Sequence, residues 1–175
     1  MFFTNLETER LLLKNINVKD REFIFDMFSN QMVNKYLFDA EPLTDISGAD
    51  EIIEFYLEPE PRLQHRWIII RKSDGVKMGT CGFHCWNTSN STVDVGYDLK
   101  EQFWGNGYMQ EAVKEIVGFA KDKMKIETIS ASIYIENKKS VKLAESLGFT
   151  RVGYSTELFR GKEYQHYRYS LIFNK

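Results

Sequence analysis

The stretch TVDVGYDLKEQFWGNGYM, Thr92 to Met109, decides how the rest of the chain is read. Thr92 to Leu99 reads as a strand. Gly105 and Gly107 punctuate a turn. From about Tyr108 to Lys123, Ala112, Val113, Ile116, Val117 and Ala120 recur at helical spacing. A strand therefore runs through a glycine-rich turn into a helix. Successive N–H groups of such a turn point one way, and the first N–H groups of the helix lack partners. With the helix dipole they favour an anion. Gly105 and Gly107 permit close approach and positive φ. Alone, the Gly-x-Gly pattern is equally a plain structural turn, and both readings stand at this point. A dinucleotide fingerprint needs a third glycine where Gln110 stands, and a P-loop needs Gly-Lys-Ser/Thr; the chain has neither.

Toward the N-terminus, Trp67 to Arg71, Val76 to Trp86 and Thr92 to Leu99 form three strands. The short turns Ser73-Asp74-Gly75 and Asn87 to Asn90 join them, which predicts an antiparallel meander. Before it, Leu11 to Ile16 is a strand, and Asn17 with Asp20 opens a helix carrying Phe23, Ile24, Met27 and Phe28. A short helical piece spans Met32 to Leu37. Ser47 and Asp50 open another helix, with Ile52, Ile53, Tyr56 and Leu57. Toward the C-terminus, Glu127 to Ile135 is a strand reached by a helical crossover, hence parallel to Thr92–Leu99. Ser140 to Ser146 is a helix that Gly148 caps in a left-handed conformation. Arg151 to Phe159, the turn Arg160-Gly161-Lys162, and Glu163 to Phe173 form a hairpin with Tyr167, Tyr169, Leu171 and Phe173 on one face. The order predicts one α/β domain over residues 1–175.

The 175 residues suffice for a sizeable core, and 43% hydrophobic with 27% charged residues is a globular balance. Aromatics reach 14%, which predicts a well-filled core and some ring-lined clefts. The net charge of −2 and the lack of a Lys/Arg block argue against nucleic-acid or membrane-surface binding. Met1 to Arg10 carries Glu7 and Glu9 and no apolar core, unlike a signal peptide, so the expected compartment is the cytoplasm. Cys81 and Cys85 fit there as reduced thiols. In a regular strand they share a face about 13 Å apart, too far to bridge or to bind zinc jointly, and no metal site is expected. His84 faces the other way, as a minor candidate for a binding site.

Gln102, Gly105 and Gly107 match the cofactor loop Gln/Arg-x-x-Gly-x-Gly/Ala of the GNAT acetyltransferases, and the chain resembles that superfamily. Val93 to Leu99 with Phe103 to Tyr108, the opening Thr8 to Leu13, Asn137-Lys138-Lys139-Ser140, and Leu147-Gly148-Phe149 resemble the branch of ribosomal-protein alanine N-acetyltransferases. The similarity runs along nearly the whole chain in order and is weakest from Phe38 to Arg66. It implies a mixed, mostly antiparallel sheet flanked by helices and splayed between the strands Thr92–Leu99 and Glu127–Ile135. It implies acetyl-CoA as cosubstrate, with no metal. Pantetheine would pair with backbone around Tyr97, Asp98 and Leu99. The pyrophosphate would rest on the turn from Gln102 through Trp104, Gly105, Asn106, Gly107, Tyr108 and Met109. Asn137 and Ser140 would approach from the other side. Asn137 has a second reading as the N-cap of its helix.

The implied reaction is acetyl transfer to a primary amine, a protein N-terminus or a small molecule, by direct attack in a ternary complex. Asp94 stands where related enzymes often carry a glutamate and is the candidate general base, through water if its shorter reach requires it; it reads equally as an exposed sheet residue. The Val95 N–H is the candidate for polarising the carbonyl. The tyrosine that many family members place before Leu-Gly-Phe is absent, since Leu143-Ala144-Glu145 stands there, and Ser140 is the substitute proton donor. These two departures keep a non-catalytic acyl-CoA-binding module as the alternative. Phe38 to Tyr56 and the hairpin would build the acceptor groove, with Asp39, Glu41 and Glu54 drawing a cation. Related proteins suggest a monomer or homodimer.

Overall fold

The computed structural model describes residues 2–38 and 40–173. The strands are β1 (Leu6–Glu7), β2 (Leu11–Asn15), β3 (His65–Arg71), β4 (Lys77–Asn87), β5 (Thr92–Leu99), β6 (Thr128–Tyr134), β7 (Thr150–Phe159) and β8 (Lys162–Ile172). The helices are α1 (Arg21–Ser29), α2 (Gln31–Asn34), α3 (Ser47–Leu57), α4 (Tyr108–Asp122) and α5 (Lys138–Ser146). The strands make one sheet in the order β1-β2-β3-β4-β5-β6-β8-β7. β5 and β6 are its parallel pair; the other pairings are antiparallel. A right-handed crossover through α4 is what parallel neighbours require.

Side-chain alternation along the strands divides the sheet into two faces. Leu11, Leu13, Trp67, Ile69, Val93 and Val95 pack with Val113 and Ile116 of α4 and Ala144 of α5. Ile68 faces the other way and packs with Ile24 of α1 and Ile53 and Tyr56 of α3. Because Val93 and Val95 point to α4, Asp94, Gly96 and Asp98 point to the α1–α3 side. The site is built on this division.

Local chemistry fixes the ends of the elements. Asn17 and Asp20 make the expected reciprocal box, capping a 3-10 turn (Val18–Asp20) that leads into α1. Asp20 is fully buried, 2.6 Å from Lys77 and 3.5 Å from Lys14. α3 begins at Ser47, but Asp45 accepts the Ser47 N–H (2.8 Å), so the capping group lies two residues earlier than expected. The second helical piece is shorter than expected, Gln31–Asn34, with Asn30 as its cap. β7 and β8 turn through Arg160 and Gly161, both at positive φ (50° and 72°), the geometry of a tight two-residue hairpin.

One expectation is corrected. Cys81 and Cys85 do not share a face. Cys85 adopts φ 54°, and the β4–β5 register slips between His84 and Asn87, a bulge that breaks alternation. Cys81 lies in the core, where burial pushes its thiol up to about 12, whereas Cys85 is exposed.

Candidate functional site

β5 and β6 pair only at Thr92–Thr128, Val93–Ile129 and Asp94–Ser130. β6 keeps a full ladder with β8, and β5 stays paired with β4 as far as Leu99. Past Asp94 the two strands part. A cleft of about 790 Å³ opens there, with Val95, Gly96 and Tyr97 on one wall and Ala131 to Tyr134 on the other. The splay expected from the sequence is present. Where β5 continues, the edge that β6 has left faces the gap.

At the end of β5 the chain enters the glycine-rich turn. The Trp104 indole N–H donates to the Leu99 carbonyl (2.8 Å), tying the turn to the strand. The Asn106 side chain donates to the carbonyls of Trp104 (2.9 Å) and Phe103 (3.2 Å), bracing the turn from within. Gly105 and Gly107 both sit at φ 76°, in the left-handed region. Gly107 is the N-cap of α4, and no side chain caps that helix. Its first backbone bond runs from the Glu111 N–H to the Gly107 carbonyl (3.0 Å). The N–H groups of Tyr108, Met109 and Gln110 therefore have no carbonyl within the helix, and the dipole adds partial positive charge there. The Met109 side chain is buried in the core, so the backbone is what it offers the turn. Arg10 donates to the Asn106 carbonyl (3.0 Å) and lies 4.6 Å from the Tyr108 ring centre; Lys139 of α5 sits 3.8 Å from that of Trp104. Gln102 stands apart: it is exposed and lines a shallow hollow with Asp26, Asn30 and Lys100.

On the α4–α5 side of the cleft, Tyr97 reaches from β5 to α5. Its hydroxyl and that of Ser140 share a hydrogen bond of 2.8 Å. Burial pushes the Tyr97 phenol up to about 12. Asn137 accepts the Ser140 N–H (3.2 Å), so it does cap its helix, and it also lines the cleft. A tyrosine hydroxyl is thus present beside Ser140, carried by β5 rather than by the helix before Leu147. Residue spacing did not reveal this contact, because it joins elements 43 positions apart.

On the opposite side, Asp94 is half-buried at the head of the splay, and His84 stands opposite it in register on β4. The Asp98 side chain is engaged by Arg66 of β3 (2.9 Å), whose other contacts include Thr80 (2.8 Å) and the Tyr56 ring. This pair is about nine-tenths buried, and removing either member would leave a charge uncompensated, costing about 3–5 kcal/mol. Arg66 lines the cleft and was not anticipated; its signal was a charged residue at the head of the apolar run Trp67 to Ile70.

The groove beyond is walled by residues from Phe38 to Tyr56 and by the β7–β8 hairpin, as expected. Phe38 stacks on Tyr164 of β8 at 3.8 Å and meets Tyr134 edge-on at 4.7 Å. Glu41 pairs with Arg160 at the hairpin turn, which holds the Glu41 carboxyl below its usual range. Glu51 rather than Glu54 lines the groove, and Asp39 lies outside the described residues. Among the described residues, the lining carries five carboxylates, on Glu41, Glu51, Asp94, Asp98 and Glu157, against two guanidinium groups, on Arg66 and Arg168. Among the described residues, no group of three or more His, Cys, Asp or Glu side chains is arranged to hold a metal ion.

A family model described as an acetyltransferase (GNAT) domain matches residues 10–150. The chain belongs to the GNAT acetyltransferase family. It is 32% identical over 171 residues to the uncharacterized N-acetyltransferase p20 of Bacillus licheniformis, covering 95% of both chains. It is 30% identical over 174 residues to the uncharacterized N-acetyltransferase YoaA of Bacillus subtilis (strain 168), covering 97% of both. Among solved structures, spermidine N-acetyltransferase from Vibrio cholerae, in complex with CoA and spermine, superposes with a TM-score of 0.83. That alignment is 18% identical and covers 94% of this chain and 96% of the other. Such a likeness reports the fold. This GNAT chain is thus an acetyltransferase with a mixed sheet that opens at its parallel pair. No helix among the described residues is long and apolar enough to cross a membrane.

Proposed function

We propose that this GNAT chain transfers an acetyl group from acetyl-CoA to a primary amine, by direct attack while both are bound. The observation that carries the proposal is the division of the cleft between the two faces of the sheet. The uncapped start of α4, Tyr97 and Ser140 lie toward one face; Asp94 and the acidic groove lie toward the other.

The chain's residues fit the donor. The free N–H groups of Tyr108, Met109 and Gln110 suit a pyrophosphate. A Cβ at Gly105 would meet nothing within 4 Å, so the turn is open to an approaching group. Gly105, Asn106 and Gly107 supply the turn, Trp104 joins it to β5, and Gln102 takes part through its backbone if at all. Backbone of Tyr97, Asp98 and Leu99 along the open edge of β5 would hold pantetheine as an added strand does. When bound, acetyl-CoA supplies the activated acetyl group and a thiol leaving group. The Val95 N–H polarises the thioester carbonyl. Ser140, beside Asn137 and bonded to Tyr97, gives a proton to the departing sulfur. Asp94 takes a proton from the amine, directly or through water.

The excess of carboxylates in the groove favours a cationic acceptor, and an amine is the acceptor class that needs a base. The similarly folded spermidine N-acetyltransferase from Vibrio cholerae is a complex with CoA and spermine, which supports an amine here. The acceptor is a protein N-terminus or a small amine, and the enzyme works in the cytoplasm as a monomer or homodimer.

The test follows free thiol while the protein is incubated with acetyl-CoA and a panel of amines. Thiol release dependent on one amine class is expected. Asp94→Ala should lower turnover about 10²-fold or more with CoA binding retained. Wild-type turnover in that variant removes Asp94 from the mechanism. CoA binding without release for any amine identifies a non-catalytic binding module instead.

A further inference from the structure

His84 closes the regular part of β4. The residue after it, Cys85, turns to φ 54°, and the β4–β5 register slips beyond the His84–Asp94 pair. On the other side of β5, the pairing with β6 also ends at Asp94, opposite Ser130. Asp94 thus stands between two irregularities, the β4 bulge on its Thr92 side and the splay from β6 on its Val95 side. Bulges next to active sites re-aim side chains, and this one follows an imidazole.

The ring leans along β5 toward the opening. An ideal Cβ on Gly96 would stand 3.3 Å from His84 Cε1 and 3.7 Å from its Nδ1. Glycine at position 96 leaves the space above the strand that the ring occupies. Directly opposed residues of an antiparallel pair carry their Cβ atoms about 4.5–5.5 Å apart on one face. His84 and Asp94 therefore share a face, and both line the cleft.

We propose that His84 is the general base of this enzyme, with Asp94 as the positioning residue that orients the imidazole and offsets its charge. This rests on the acetyl transfer proposed above and gives the proton-accepting role to His84 in place of Asp94. As the new C–N bond forms and the C–S bond breaks, the ring nitrogen without hydrogen takes one proton from the attacking nitrogen. The sulfur receives one proton from the Ser140 hydroxyl, which solvent replaces through Tyr97, and the imidazolium returns its own to solvent. Imidazole exchanges protons near neutral pH, where a carboxylate of ordinary pKa is a weak base. Among the described residues, the charged groups that line the cleft with His84 are Asp94, Asp98, Arg66, Glu41, Glu51, Glu157 and Arg168, with His166 as a second imidazole. Arg66 is itself paired with Asp98 at 2.9 Å.

The test compares pH–rate profiles of wild type, His84→Gln and Asp94→Asn with one amine, alongside CoA-dependent thermal stabilisation. The expected results are an acid limb near neutrality in wild type and turnover about 10²-fold lower in His84→Gln with that limb gone. Added imidazole should restore part of the activity, and CoA stabilisation should be unchanged. Asp94→Asn should keep the limb and move it to lower pH. His84→Asn, smaller than the native ring, carries the same expectation should glutamine disturb β4. An unaltered acid limb in a folded His84 variant overturns the inference and leaves acetyl transfer standing. Failure of wild type to use any amine overturns both.

Discussion

At the scale of single residues, the buried His65 is placed where partners wait for both its ring nitrogens. His65 is 1% exposed, stacked on Phe3 at 4.2 Å and edge-on to Trp67 at 4.3 Å. Its Nδ1 accepts from Arg62 and its Nε2 donates to the Asn15 side chain, both at 2.9 Å, an arrangement that requires a neutral ring. Burial, and then the Arg62 charge, hold this imidazole down at about 3. The unfolded chain takes up the proton near 6.5, so the contribution of His65 to stability is complete above that pH. It is lost as pH falls from 6.5 toward 3, by up to about 1.4 kcal/mol per pH unit. Denaturant unfolding at pH 7.5 and pH 5 should show wild type losing up to about 2 kcal/mol more than His65→Gln. Equal losses in the two proteins would refute this. Neither this neutral histidine nor the Arg66–Asp98 pair was legible in the sequence, because each depends on partners from other strands. Asp94 was named as a candidate because its neighbours in the chain resemble those of the family.

At the scale of elements, the start of α4 carries most of the proposed donor site. Gly107 holds φ 76°, and a Cβ there would stand 3.5 Å from Arg10 Nη2. A β-branched residue in that conformation costs of order 1–3 kcal/mol and turns the free N–H groups away from a common point. Gly107→Val should therefore lower the melting temperature and abolish the rise that CoA produces in wild type. A full CoA-dependent rise in the variant would contradict the cradle. Elements whose signal is local were readable: β5 matches its expected bounds of Thr92–Leu99, and the Asn17–Asp20 box and the left-handed Gly148 (φ 87°) are in place. What escaped reading was non-local. β1 has two residues and exists through its pairing with β2. The Cys85 bulge is set by how β4 meets β5, and nothing in Phe83-His84-Cys85-Trp86 announces it.

At the scale of the whole molecule, one parallel strand pair in an otherwise antiparallel sheet creates the opening, and two helical layers give it different chemistry on each side. α4 brings free N–H groups, α5 the Ser140 hydroxyl and β5 the Tyr97 hydroxyl on that side. α1, α3 and the loop after α2 bring carboxylates and aromatic rings, and Phe38 on Tyr164 with Glu41 on Arg160 joins that loop to the hairpin across the groove. The proposed donor half could be named from the sequence because its motif is contiguous. The proposed acceptor half is assembled from distant segments, so only part of its lining was named. The central claim is that the donor lies along the open edge of β5 with its phosphates on the start of α4. Amide hydrogen exchange with and without CoA tests it most directly, because it needs no acceptor. CoA should slow exchange at Tyr108, Met109 and Gln110 and within Val95 to Leu99. Unchanged exchange in both segments, with protection confined to other parts of the sheet, would contradict the account.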